Sequence, residues 1–200
     1  MNRALVLAGI AVLLVAWLGP LPGLVPGSFA AHMALHMGVV GIGVPLLAIG
    51  LAARFGSRLS GSSLVLPIVV SIADFVVVWG WHAPLLHHLS RTEPLALALE
   101  QASFAGVALL VWLVAFAGPA LPGAITLFFT SMHMTLLGAL VGLANRPIYP
   151  GHHHGAAWLD LGPVEDQQLG GVIMLAIGGI VYLGGGLVLA ARVLNRRSAA

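Results

Sequence analysis

An all-α bundle of membrane-spanning helices is the fold class this sequence predicts, and three observations carry it. Hydrophobic residues make up 60% of the 200-residue chain, charged residues only 7%, and lysine is absent. A soluble domain needs about a quarter of its residues charged to cover its surface. Apolar runs of spanning length recur along the chain, and about 20 residues are enough to cross a bilayer. Prolines, glycines and polar residues collect between those runs, where helix breakers belong. Hydrocarbon cannot satisfy backbone N–H and C=O groups, so the runs must be helical.

Six spans follow, roughly Ala4–Leu18, Phe29–Ala53, Leu64–His82, Leu95–Ala117, Ala124–Ala144 and Leu169–Val193. The first is short and is ended by "GPLPGLVPGS". Arg3, the apolar core and "SFA" before Ala31 also resemble a cleavable leader. The long apolar run and the three prolines ahead of that cut favour a retained anchor. The remaining connections are "GSRLSGSS", "APLLHHLSRTEP", "GPALPG" and "NRPIYPGHHHGAAWLDLGPVED", all expected to be loops. No repeat or linker divides the chain, so residues 1–200 read as one integral membrane domain. Gly138 and Gly142 form a GxxxG pair suited to close helix packing.

Arginine placement sets the orientation, since cytoplasmic loops carry the excess of basic residues. Six spans put both termini on one side, together with Arg3, Arg54, Arg58, Arg192, Arg196 and Arg197. The other side holds Arg91 and Arg146 among Glu93, Asp160, Glu165 and Asp166. Both termini are therefore expected in the cytoplasm. The net charge of +2 comes from arginines scattered at helix ends. Nucleic-acid binding needs them clustered on one face, so no nucleic-acid partner is expected. With no cysteine there is no disulfide and no thiolate site.

The nine histidines avoid the cytoplasmic side. His32 and His36 stand one helical turn apart at the outer end of the second span, in "HMALHM". Residues i and i+4 share a helix face, so the two imidazoles point together, with Met33 and Met37 in a parallel row. His82 closes the third span on the same side, and His87 and His88 follow in the expected outer loop. His152, His153 and His154 lie in the long loop before the last span. His133, in "SMHMTLLG", sits near the middle of its span, and Asp74 is the one acid in the middle of any span. A lone histidine in a membrane helix commonly serves as hydrogen-bonding glue. Clustering on several spans favours a shared ion instead. Imidazole suits copper, zinc or iron, and thioether is soft and selects Cu(I). The predicted ligands are His32, His36, His82 and His133, with Met33 and Met37 as soft additions. Asp74 reads as an intramembrane functional carboxylate with His133 as its partner.

Enzyme chemistry has little support: no nucleophile–base set, Gly-rich phosphate loop or HExxH is present. Two other readings of the same residues stay open. The histidines could be axial ligands of a b-type haem. Asp74 and His133 could instead line a metal or proton path through the midplane.

Taken in order, "HMALHMGVVGIGVPLLAIG", "WHAPLLHHL", "LEQASFAGVALLVW", "MHM…LLGALVGLANRPIY" and "DQQLGGVIM" resemble the CtaG family of polytopic membrane assembly factors for cytochrome c oxidase. The likeness runs from about Phe29 to Leu194. It implies a multi-pass protein of the bacterial inner membrane that supports maturation of a haem-copper oxidase through its copper. An oxidase subunit would be the partner. The family's characteristic residues fall on His32, His36, His82, Glu100, His133, Asp166, Gln167 and Gln168. The chain also departs from the pattern. Leu97 and Gln101 stand where the family reads H-x-x-E-H, Leu175 replaces a tryptophan, and six spans are counted where seven are common. In "DQQLGG", Asp166 is expected to cap its own helix and Gln168 to satisfy free amides there. An alternative is orientation of ligating histidines by these side chains.

Overall fold

The computed structural model describes residues 1–25, 27–59, 64–149 and 159–198, with residues 196–198 described by backbone alone. Among the described residues every regular element is helical. We number them α1 Arg3–Leu18, α2 Leu21–Leu24, α3 Phe29–Leu59, α4 Val65–Trp81, α5 Pro84–Thr92, α6 Pro94–Ala117, α7 Ala120–Gly142 and α8 Pro163–Asn195. Among the described residues, five helical stretches are long and apolar enough to cross a membrane, the first being α1 and α2 together, or six if α4 and α5, bent by 71°, form one span. These apolar helices are compatible with a multi-pass membrane protein.

Proline placement explains most helix starts. Pro84, Pro94 and Pro163 occupy the first turns of α5, α6 and α8. There the missing N–H costs nothing and the fixed φ already suits a helix. Reading Pro84 and Pro94 purely as breakers is what makes "APLLHHLSRTEP" look like a loop. The structure corrects that expectation: residues Pro84–Thr92 form α5. One face of α5 is buried through His87 and Ser90, while His88 is exposed.

The bundle core lies between α3, α6, α7 and α8, and α1 rests on the outside of α3. Helices α7 and α8 meet closely. A Cβ added at Gly138 would lie 2.8 Å from the Gly171 carbonyl oxygen, so only glycine permits this separation. Helices α3 and α8 run side by side from the same end, and each widens into one π-helical turn, at Gly38–Gly43 and Gly179–Leu183. A π turn disturbs the regular backbone ladder. Here Tyr182 of one turn donates its hydroxyl to the Val40 carbonyl of the other at 2.8 Å, with the ring fully buried.

Three expectations for the long connection before α8 resolve differently. His152, His153 and His154 lie outside the described residues. Asp166 does not cap its own helix: it reaches across to α3, as described below. Gln168 does not serve free amides at the start of α8; its Nε2 donates to the Ala144 carbonyl at 3.3 Å. Gln167 accepts from the Ile148 amide at 2.6 Å and donates to the Arg146 and Val141 carbonyls. The two amides fasten the end of α7, and the chain leaving it, to α8.

Candidate metal centre

The site is built from the first turn of α3. Ser28 caps this helix by accepting from the Ala31 amide at 3.1 Å. The Asp166 carboxylate of α8 supplies the rest, accepting from the Ser28 hydroxyl at 2.6 Å and the Phe29 and Ala30 amides at 2.6 and 3.2 Å. Free amides at a helix N-terminus need acceptors, and the helix dipole favours a negative charge there. Asp166 meets both needs from another helix and is wholly buried. The joint fixes α3 against α8 and thereby the direction of His32 and His36.

Those two imidazoles stack, with centroids 6.5 Å apart and planes 11° from parallel. His82, at the end of α4, meets His36 edge-on at 5.5 Å. His87 of α5 meets His32 edge-on at 5.0 Å. The result is an unbroken ladder His87–His32–His36–His82, drawn from three helices. All four residues are at most 5% exposed. Phe104 of α6 closes the inner side, 4.1 Å from His36 and 6.0 Å from His82. Phe29 and Tyr149 close the outer side, stacked on each other at 4.5 Å and against His87 at 5.5 and 4.4 Å.

The ladder has two chemically different ends. At the inner end, His82 Nδ1 sits 2.6 Å from the Val78 carbonyl oxygen. A carbonyl only accepts, so Nδ1 carries the proton and Nε2 keeps its lone pair. That Nε2 has no hydrogen-bond partner, and neither ring nitrogen of His36 has one. Such buried, unanswered nitrogens cost about 1–3 kcal/mol each, so they call for a reason. The Tyr149 hydroxyl donates to the His82 carbonyl at 3.1 Å and steadies this corner.

At the outer end a carboxylate joins. One ligand-type atom each from His32, His87 and Glu100 lies within 4.8 Å of the others. Glu100, wholly buried on α6, is held by the Ser90 hydroxyl at 2.9 Å, the Gln101 amide at 3.2 Å and an ion pair with Arg91. Arg91 also contacts His32 Nδ1 at 2.8 Å. Beside it lies a cavity of about 130 Å³ whose lining includes Trp17, His32, Leu97 and Gln101. Trp17 Nε1 donates to the Gln101 oxygen at 3.1 Å, tying α1 to this rim.

The other predicted residues lie apart from the ladder. His133 Nε2 is 3.0 Å from Asp74 Oδ2, which also accepts from Thr130 at 2.9 Å. The ring contacts of His133 are with Phe75 and Phe129, 5.5 Å from each. Met33 and Met37 are fully buried but pack towards α8. A Cβ at Gly170 would lie 3.1 Å from Met33 Cγ, and one at Gly178 would lie 3.9 Å from the Met37 methyl. His87, Ser90 and Arg91 are the site residues that reading the sequence missed. Their i, i+3, i+4 spacing behind Pro84 is the amphipathic signal that could have found them.

The family model of the cytochrome c oxidase caa3 assembly factor (Caa3_CtaG) matches residues 2–196. The chain belongs to this family. No protein of curated function and no solved structure matches it. As a caa3 oxidase assembly factor it is placed beside cytochrome c oxidase, and the family suggests a role in building that enzyme rather than in catalysis. The match covers every residue of the ladder, together with Glu100, Arg91 and Asp166.

Proposed function

We propose that this assembly factor binds copper as Cu(I) on its histidine ladder and supports its insertion into a haem-copper oxidase. The observation that carries the reading is the inner pair. His36 and His82 are adjacent, buried and without hydrogen-bond partners at three ring nitrogens, and His82 donates its other N–H to a backbone carbonyl. Metal-ligating histidines almost always make that second bond, which fixes ring and tautomer. Neutral imidazoles without a carboxylate suit a monovalent soft ion, whereas the outer group with Glu100 adds a hard oxygen. His32 and His87 are the further ligands, and Glu100 is a ligand or counter-charge at the outer end. Met33 and Met37 support the site by packing; His133 belongs with Asp74.

A b-type haem fits less well. It needs an open slot between two axial imidazoles, and here the neighbouring ring centroids stand only 5.5 and 6.5 Å apart, with Phe104 4.1 Å from His36. The protein would sit in the bacterial inner membrane with both termini cytoplasmic, as the arginines indicate, and the ladder in the periplasmic half. There an ion crosses little hydrocarbon on its way to an oxidase subunit docked in the lipid.

The test is anaerobic loading of the purified protein with Cu(I), followed by copper quantification. Wild type should retain copper through desalting, and His36→Ala/His82→Ala and His32→Ala/His36→Ala should retain little. Met33→Leu/Met37→Leu should resemble wild type. Equal copper in wild type and both histidine variants overturns the reading.

A further inference from the structure

Resting on the copper reading above, we infer that Arg91 is the ion's built-in competitor: guanidinium and metal exclude each other at His32 and Glu100. The reasoning starts from the proton on His32. A guanidinium has five donors and no acceptor, so the 2.8 Å contact requires a lone pair on His32 Nδ1. Neutral His32 then carries its proton on Nε2, the atom 4.0 Å from Glu100 Oε1. A metal can take either nitrogen. At Nδ1 it needs the lone pair that Arg91 holds. At Nε2 it needs the proton to leave that atom and return, through solvent, to Nδ1. The new Nδ1–H would face an Arg91 N–H, donor against donor. Both routes expel the guanidinium.

Glu100 leads to the same result. Its Oε2 is the ion-pair partner of Arg91, while its Oε1 accepts from Ser90 and lies 4.0 Å from His32 Nε2. One buried carboxylate next to two cations would leave excess positive charge where solvent cannot screen it. Room for departure exists. A second cavity of about 140 Å³ beside Arg91 is lined by Ser90, Glu93 and Leu97 among others. The exposed Glu93 offers the displaced guanidinium a carboxylate there. In the metal-free protein Arg91 satisfies Glu100 and holds the site together. Its return when metal leaves makes release easier, which suits a protein that passes its ion on.

Two measurements test this. Cu(I) affinity is read by competition with a chromogenic chelator for wild type, Arg91→Gln and Arg91→Lys, each first checked by thermal unfolding. Removing the competitor should tighten binding on the order of tenfold in Arg91→Gln, the opposite of losing a supporting contact, which weakens metal sites by about 10–100-fold. Arg91→Lys should stay nearer wild type. Unchanged or weaker binding in folded Arg91→Gln overturns the inference. The second measurement uses wild type alone: phenylglyoxal labelling of Arg91, followed by mass spectrometry, with and without Cu(I). Copper should speed labelling several-fold; equal or slower labelling overturns the inference even if the variants do not fold. Wild type that binds no copper would instead sink the copper reading itself.

Discussion

Replacing Asp166 with alanine strikes the joint that aims the histidines. The carboxylate is wholly buried and answers two α3 amides and the Ser28 hydroxyl. Each stranded buried donor costs about 1–3 kcal/mol. The hydroxyl can rotate to another acceptor, so the two amides set the loss, about 2–6 kcal/mol in all. Asp166→Asn keeps one oxygen acceptor but loses the charge that suits the helix N-terminus, and should fall about midway. The assay is thermal or denaturant unfolding in one detergent, with copper retention measured on the same samples. Stability should rank wild type, Asp166→Asn, Asp166→Ala. Copper retention should fall in the same order, because the first turn of α3 carries His32. An Asp166→Ala variant within about 0.5 kcal/mol of wild type, the range of an inert surface change, would refute the reasoning.

Other changes have separate expected outcomes. Gly171→Leu should disrupt the α7–α8 contact, where glycine backbones meet, and lower the melting temperature by several degrees in the same unfolding assay. Asp74→Asn weakens the Thr130 and His133 bonds and should cost about 1–3 kcal/mol, yet leave copper content unchanged. A parallel loss of copper would tie that pair to the metal. Tyr149→Phe removes the bond to the His82 carbonyl and should cost about 0.5–1.5 kcal/mol by the same melt. Burial also raises the phenol of Tyr149 above its ordinary range. Above about pH 10 the unfolded phenol releases its proton and the folded one keeps it, so stability falls as pH rises. Unfolding measured between neutral and strongly alkaline pH should show a shallower fall in Tyr149→Phe than in wild type.

Local chemistry made much of this legible in the sequence. The lack of charge and the spacing of apolar runs gave the helices, and i/i+4 spacing put His32 and His36 on one face. Asp74 and His133 stood out as the polar residues deepest in their spans, and they meet. What stayed hidden depended on contacts remote in the chain or on an ambiguous proline. Pro84 and Pro94 begin helices here, so α5 and its inward face of His87, Ser90 and Arg91 looked like loop. Asp166 has its partners more than 130 residues away, and its own helix offered a nearer capping role. The alternation "HMALHM" gave the methionines a row beside the histidines. Only the packing of α8 against α3 shows that the thioethers turn towards glycines at 170 and 178.

The central claim is that imidazole rather than thioether holds the copper. X-ray absorption at the copper edge of the loaded wild-type protein tests it most directly. The account predicts a first shell of nitrogen, with the multiple-scattering pattern of histidine rings and no sulfur. A sulfur shell in the loaded wild-type protein would contradict it.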